Sequence, residues 1–157
     1  MTDPTERIVE IRLDTGSIVR WSREVEHERQ VAVFDLLESN HFSLKNGFRG
    51  PYRVVLSLRG TTLVLDVAGP DDQHAEVTLP VRPFRSLIKD YFLICDSYFQ
   101  AIRTASPSRI EAIDMGRRGL HDEGADKLRT MLEDRVEVDD ETARRLFTLV
   151  CVLHIRG

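Results

Sequence analysis

With 157 residues, 41% apolar and 31% charged, and a formal net charge of −4, the chain has the makeup of one globular domain rather than a disordered segment. The acidic balance argues against bulk electrostatic binding to nucleic acid or acidic lipid. The charge is nevertheless uneven: residues 82–118 carry seven basic side chains against four acids, net +3, and residues 122–141 carry nine acids against three basic groups, net −6.

The opening stretch "MTDPTERIVE" lacks the apolar core of a signal peptide, and no apolar run reaches ten residues. The expectation is a soluble, cytoplasmic protein with no membrane segment. Ile8 to Leu13 alternates, with Val9, Ile11 and Leu13 on one face and Glu10 and Arg12 on the other, which predicts a half-buried strand. Asp14-Thr15-Gly16 reads as a turn, with a short return strand at Ile18-Val19. Ser22 suits the N-cap of a helix to about Asn40 that carries Val25, Ala32, Val33, Leu36 and Leu37. "HFSLKNGFRGP" reads as a loop.

A meander follows. Tyr52, Val54, Leu56 and Leu58 share one face; Gly60-Thr61 suits a type II′ turn; Leu63, Leu65 and Val67 return; "GPDDQ" turns again before Ala75, Val77 and Leu79. Pro83 can open a helix to about Thr104. Its apolar residues lie on two sides (Leu87, Tyr91, Ile94, Cys95 and Tyr98, then Phe92, Leu93 and Phe99), which predicts a central helix, one side of which can serve as a dimer face. Cys95 and Cys151 sit in apolar segments and read as buried, reduced thiols. Ser106-Pro107 restarts a helix, and a last helix begins at Asp139 or Asp140 and buries Ala143, Leu146, Phe147, Val150 and Leu153.

The densest chemistry is "IDMGRRGLHDEG", residues 113–124. One reading is a single helix from Pro107 to about Asp134, with a seam of Ile110, Ile113, Arg117, Leu120, Gly124, Leu128 and Met131, and with Gly116, Leu120 and Gly124 as a low-bulk face. The other is a break near Gly119, where Arg117 and Arg118 suit a last turn, Gly119 a left-handed cap and Asp122 a new N-cap. The stop and start signals agree, and they tip the reading towards a break. Functionally, Arg117, Arg118 and His121 form a candidate pocket for a small phosphate or carboxylate. Gly116-Arg117-Arg118-Gly119 is similar to the G-x-x-G loop of KH domains, but Asp122 stands where those domains carry an aliphatic residue, so nucleic-acid binding, with Arg109 assisting, is disfavoured. A close-packed helix junction with surface charges is the plain structural alternative.

Other patterns are weaker. "LDTGS" (residues 13–17) matches the aspartic-protease signature, but the helical remainder departs from that fold, and a turn explains it better. Glu24 and His27 have di-iron spacing yet lack the second pair such a site needs, and Asp71 and His74 lie in a turn, so no metal is predicted. There is no G-x-S-x-G, Walker loop, dinucleotide glycine fingerprint or C-x-x-C, and no cofactor is predicted.

Three blocks, "EHERQVAVFDLLESNHF", "RPFRSLIKDYFLICDSYFQAIRTASPSRIEAIDMGRRGLHDEG" and "ARRLFTLVCVLHIR", resemble an uncharacterised alphaproteobacterial protein family, number 0262 of the UPF series. The resemblance spans nearly the whole chain and implies a single cytoplasmic bacterial domain. It carries over no activity, cofactor or catalytic residue, and "LDTGS" is not part of it.

The expected fold is therefore α+β over residues 1–157: an antiparallel meander of three or four strands packed against about five helices. The first functional expectation is a non-enzymatic regulatory or adaptor protein that binds a protein partner or its own copy through the charged junction 109–124. Asp114 pairs there with Arg118, and Gly116, Gly119 and Gly124 allow close packing. The second is a binder or enzyme for a small anion at Arg117, Arg118 and His121, and nucleic-acid binding at Gly116–Gly119 is third. Arg117 and Arg118 are adjacent, so on a helix they cannot both be buried.

Overall fold

The four-stranded sheet is where the alternating patterns lead. The computed structural model describes residues 4–15 and 21–154. Strands β1 (Ile8–Asp14), β3 (Tyr52–Arg59), β4 (Thr62–Ala68) and β5 (His74–Pro80) lie in the order β1-β3-β4-β5. The meander β3-β4-β5 is antiparallel as expected. Gly60 alone takes a positive φ, 60°, between the paired Arg59 and Thr62, as a type II′ turn requires. The fourth strand, β1, pairs parallel to β3, so the sheet is mixed.

Strand β1 departs from its sequence pattern. Ile8 pairs with Tyr52 but Glu10 with Arg53, so Val9 is the extra residue of a bulge. The bulge shifts the inward face to Ile8 and Ile11 and leaves Val9 46% exposed. Asn40 holds this edge: its side-chain oxygen accepts from Ile8 N at 2.7 Å and its amide donates to the Ile8 and Leu36 carbonyls. The predicted return strand at Ile18-Val19, and Gly16 and Ser17 of "LDTGS", fall outside the described residues.

Among the described residues, four α-helices complete the fold: α1 (Arg23–Glu38), α2 (Arg85–Thr104), α3 (Pro107–Leu132) and α4 (Asp140–His154). Ser22 and Ser106 cap α1 and α3 through their hydroxyls, and the Asp139 carboxylate accepts from Thr142 N at the start of α4. The expected loop at residues 41–51 contains a short strand, β2 (Phe42–Leu44), paired with β6 (Val136–Val138). Three-residue strands fall below what alternation can reveal. Here they tie the exit of α1 to the connection between α3 and α4.

Two helices differ from expectation. The central one is α4, buried without a break from Leu146 to Leu153. Helix α2 buries Leu87, Ile88, Tyr91, Cys95 and Ala101 but leaves Leu93 and Ile102 exposed. On its second side Leu93 is on the surface, while Phe92 and Phe99 are partly buried against the core. Helix α3 runs unbroken through Gly119, with the seam of the one-helix reading. Its stop signals are worth about 1 kcal/mol each, and packing of Gly124, Ala125, Leu128 and Leu132 outweighs them. A KH-type loop at Gly116–Gly119 is thereby ruled out, because those residues are helical.

Packing runs from α1 to α4, α4 to α3 and α3 to α2. Helices α1 and α2 face each other across a groove. The closest approach within the layer is at Gly124, where an added Cβ would lie 2.5 Å from the ring of Phe147, itself fully buried. Gly116 faces only the tip of Ile94, and Gly119 meets nothing.

These environments separate two substitutions that helix propensity alone treats as equal. Gly119→Ala should stabilise by up to about 1 kcal/mol. Gly124→Ala should destabilise by about 1–2 kcal/mol, because overpacking against an immobile ring exceeds the propensity gain. Chemical denaturation of the two variants reads the opposite signs directly.

Candidate functional site

Helix α3 divides the sequence-predicted residues between two environments. Arg118 is 69% exposed, whereas the Arg117 side chain is 21% exposed. They share Asp114, whose two oxygens lie 2.9 Å from Arg117 and 3.1 Å from Arg118. Arg117 also reaches Glu28 of α1 at 3.3 Å and stacks on Tyr98, 4.4 Å from the ring centre. A guanidinium on the apolar seam therefore leaves the core edge into two carboxylates and an aromatic face. Glu28 in turn accepts from the Tyr91 hydroxyl at 3.1 Å, which joins α1, α2 and α3.

One turn further on, His121 lies against Tyr91 (ring centres 5.1 Å apart), with Nε2 3.1 Å from Thr148 Oγ1 of α4. The Thr148 hydroxyl donates to the Arg144 carbonyl, so it accepts from His121 Nε2–H. Nδ1 is then the acceptor of the neutral ring. Burial, together with the neighbouring Arg144 and Arg117, pushes the His121 pKa down to about 4.

Helix α4 adds two arginines. Arg144 pairs with Asp122 at 2.5 Å; Arg145 pairs with Glu141 at 2.5 Å and Asp35 at 3.9 Å. The Nε of Arg145 is buried without an acceptor. Arg117, His121, Arg144, Arg145 and Thr148 line one cavity of about 350 Å³, closed on the α1 side by Glu28, Val31, Ala32 and Asp35.

Of the predicted site residues, then, the structure brings Arg117 and His121 together and leaves Arg118 pointing to solvent beside Asp114. Arg109 sits in the first turn of α3, about 18 Å along the helix axis from His121, and does not join them. Gly116 and Gly124 are packing positions, while Gly119 is on the surface. Arg144, Arg145 and Thr148 were missed. The i,i+4 pairs Glu141/Arg145 and Arg144/Thr148 were available in the sequence, but they mark a helix face without saying what it faces. Among the described residues, no three His, Cys, Asp or Glu side chains gather as metal ligands would, and no helix is long and apolar enough to cross a membrane. Cys95 and Cys151 are free and buried; burial and the nearby Glu28 push the Cys95 thiol up to about 11.

The model of the uncharacterised protein family UPF0262 matches residues 5–156. The chain belongs to the UPF0262 family. A UPF0262 protein of Rhodospirillum rubrum is 57% identical over 154 residues, covering 98% of this chain and 95% of that protein. One from Paramagnetospirillum magneticum is 53% identical, covering 97% and 98%, and one from Caulobacter vibrioides 54%, covering 96% and 94%. No solved structure matches the chain.

For this UPF0262 chain the network makes two stability predictions. Arg117→Ala strands Glu28 and should cost about 1–3 kcal/mol, whereas Arg118→Ala should change stability by less than about 0.5 kcal/mol, both read from urea midpoints. Folded His121 protonates near 4 and unfolded histidine near 6.5, so between those values the unfolded chain binds more protons. The His121 contribution is complete above pH 6.5 and is lost as the pH falls towards 4. Stability should decline through that window, and His121→Gln should flatten the decline relative to the parent.

Proposed function

We propose that this protein binds a small anion in the cleft between α1, α3 and α4. The observation that carries the reading is the convergence of three half-buried arginines from two helices on one cavity. Guanidinium groups held in place by packing lose little freedom when they meet a carboxylate or phosphate, and their fork geometry matches both.

The arginines have different roles. Arg117 is held by two half-buried carboxylates and acts through its field and by positioning. Arg144 and Arg145 are 29% and 27% exposed, whereas their partners Asp122 and Glu141 are 62% and 64% exposed. Such surface pairs contribute little, typically under about 1 kcal/mol. An incoming anion can replace those carboxylates at small cost and offer an acceptor to the Arg145 Nε. Arg118 and Arg109 lie outside this set. The protein-partner reading rests on a helix junction, and α3 is continuous there, so anion binding takes precedence over it.

Thermal melting in phosphate, acetate and citrate, each compared with chloride at equal ionic strength, tests the reading. One of the three should raise Tm saturably. At a hundred times Kd the stabilisation is about 2.7 kcal/mol, several degrees for a chain of this size. Arg144→Ala and Arg145→Ala should abolish the rise, and Arg118→Ala should keep it. If all three anions behave as chloride does, the cleft is a structural ion-pair network and not a binding site.

A further inference from the structure

A second cavity, of about 400 Å³, adjoins the first along α1 and shares Glu28 and Phe99 with it. It occupies the groove between α1 and α2, and its inner wall is Tyr91, Phe92, Cys95 and Phe99 of α2 facing Val25 of α1. The two polar groups on that wall are already neutral. The Tyr91 hydroxyl is engaged in donating to Glu28, and burial raises both that phenol and the Cys95 thiol out of the range in which they ionise. The rim carries Glu24, Asp96 and Arg103, and with Glu28 this makes three acids to one base. In the first cavity Arg117, Arg144 and Arg145 balance Glu28, Asp35 and Glu141, so the α1–α2 groove is the more acidic end of the double cavity and the guanidinium groups gather at the α4 end.

We propose that the ligand is an amphiphilic carboxylate, with its head on Arg144 and Arg145 and its acyl or aryl body running past Phe99 into the α1–α2 groove. This rests on the anion-binding reading of the first cleft and adds the class of molecule. The charge difference sets the direction: a carboxylate at the groove end would face Glu24, Asp96 and Glu28 with only Arg103 against them, whereas at the α4 end three arginines balance the three acids and two of those arginines hold only exposed surface partners. The aromatic wall suits hydrocarbon, because burying apolar surface is favourable wherever no polar group is left unpaired. A free inorganic anion would leave this wall exposed to water.

The test is calorimetric titration of the full chain with acetate, butanoate, hexanoate and octanoate, alongside phosphate. Each added methylene should tighten binding about three- to fourfold. Val25→Phe, which narrows the groove from the α1 side, should weaken hexanoate and octanoate at least tenfold and leave acetate unchanged. Arg144→Ala should weaken every member of the series equally. Acetate and octanoate binding alike would overturn the amphiphile while leaving the anion site intact, and so would octanoate binding that survives Arg144→Ala undiminished. Absence of binding by any member, phosphate included, would overturn both readings. The chain-length series on the unmodified protein needs no variant, so a Val25→Phe chain that fails to fold does not remove the test.

Discussion

The contact between Gly124 and Phe147 sets the spacing on which the rest of the helical layer depends. Phe147 is fully buried at the middle of α4, the helix with no exposed face along its central turns. Its ring occupies the space a side chain at position 124 would need. Close approach of α3 to α4 at this point brings His121, one turn earlier, to Thr148, one position beyond Phe147. Arg117, a turn further still, then lies over Tyr98 and beside Glu28. A bulkier residue at 124 would move the two helices apart, and the cleft residues with them. Interiors pack at crystal-like density, so such a shift is not absorbed locally.

Polar groups close the layer where apolar packing does not. Between α1 and α2 lies a groove, and Glu28 bridges it by taking a hydrogen bond from Tyr91 and an ion pair from Arg117. Shared by α1, α2 and α3, this carboxylate stands where two cavities of different character meet. One is lined by arginines and the other by aromatic rings. Its charge is compensated by Arg117, which makes the arrangement tolerable in a half-buried place. Burial, and after it the charge of Glu28, keeps the Cys95 thiol protonated. On the other side burial, and after it the arginines, keeps His121 neutral. The double cavity thus has a built-in electrical direction that does not depend on any bound group.

The small two-stranded sheet serves this geometry from a distance. Pairing of Phe42–Leu44 with Val136–Val138, reinforced by the bond from His41 N to Thr142 Oγ1 at 2.9 Å, fastens the end of α1 to the start of α4. Glu28 and Asp35 on α1 therefore keep their places opposite Arg117 and Arg145, although the helices that carry them are far apart in sequence.

By itself the sequence determined what local rules can carry. The meander β3-β4-β5 with its Gly60 turn, the Ser22 and Ser106 caps, and the buried stripe of α4 follow from alternation, turn chemistry and helical spacing. Each of these depends on residues close together in the chain. The sequence also marked Arg117 as a charge on an apolar seam and His121 as its neighbour. Tertiary structure alone decided the rest. The Val9 bulge appears only when β1 is laid against β3 in register and Asn40 holds its first residue. The continuity of α3 through Gly119 was decided by burial of its second half, which outweighs stop signals worth about 1 kcal/mol each. The exposure of Leu93 beside the partly buried Phe92 and Phe99 shows that apolar spacing identifies a face without identifying a neighbour. For the same reason Arg144, Arg145 and Thr148 could not be assigned to a site in advance. Each is an ordinary helical residue until α4 is packed between α1 and α3, and a cleft shared by three helices is a property of their packing, which no single stretch of sequence contains.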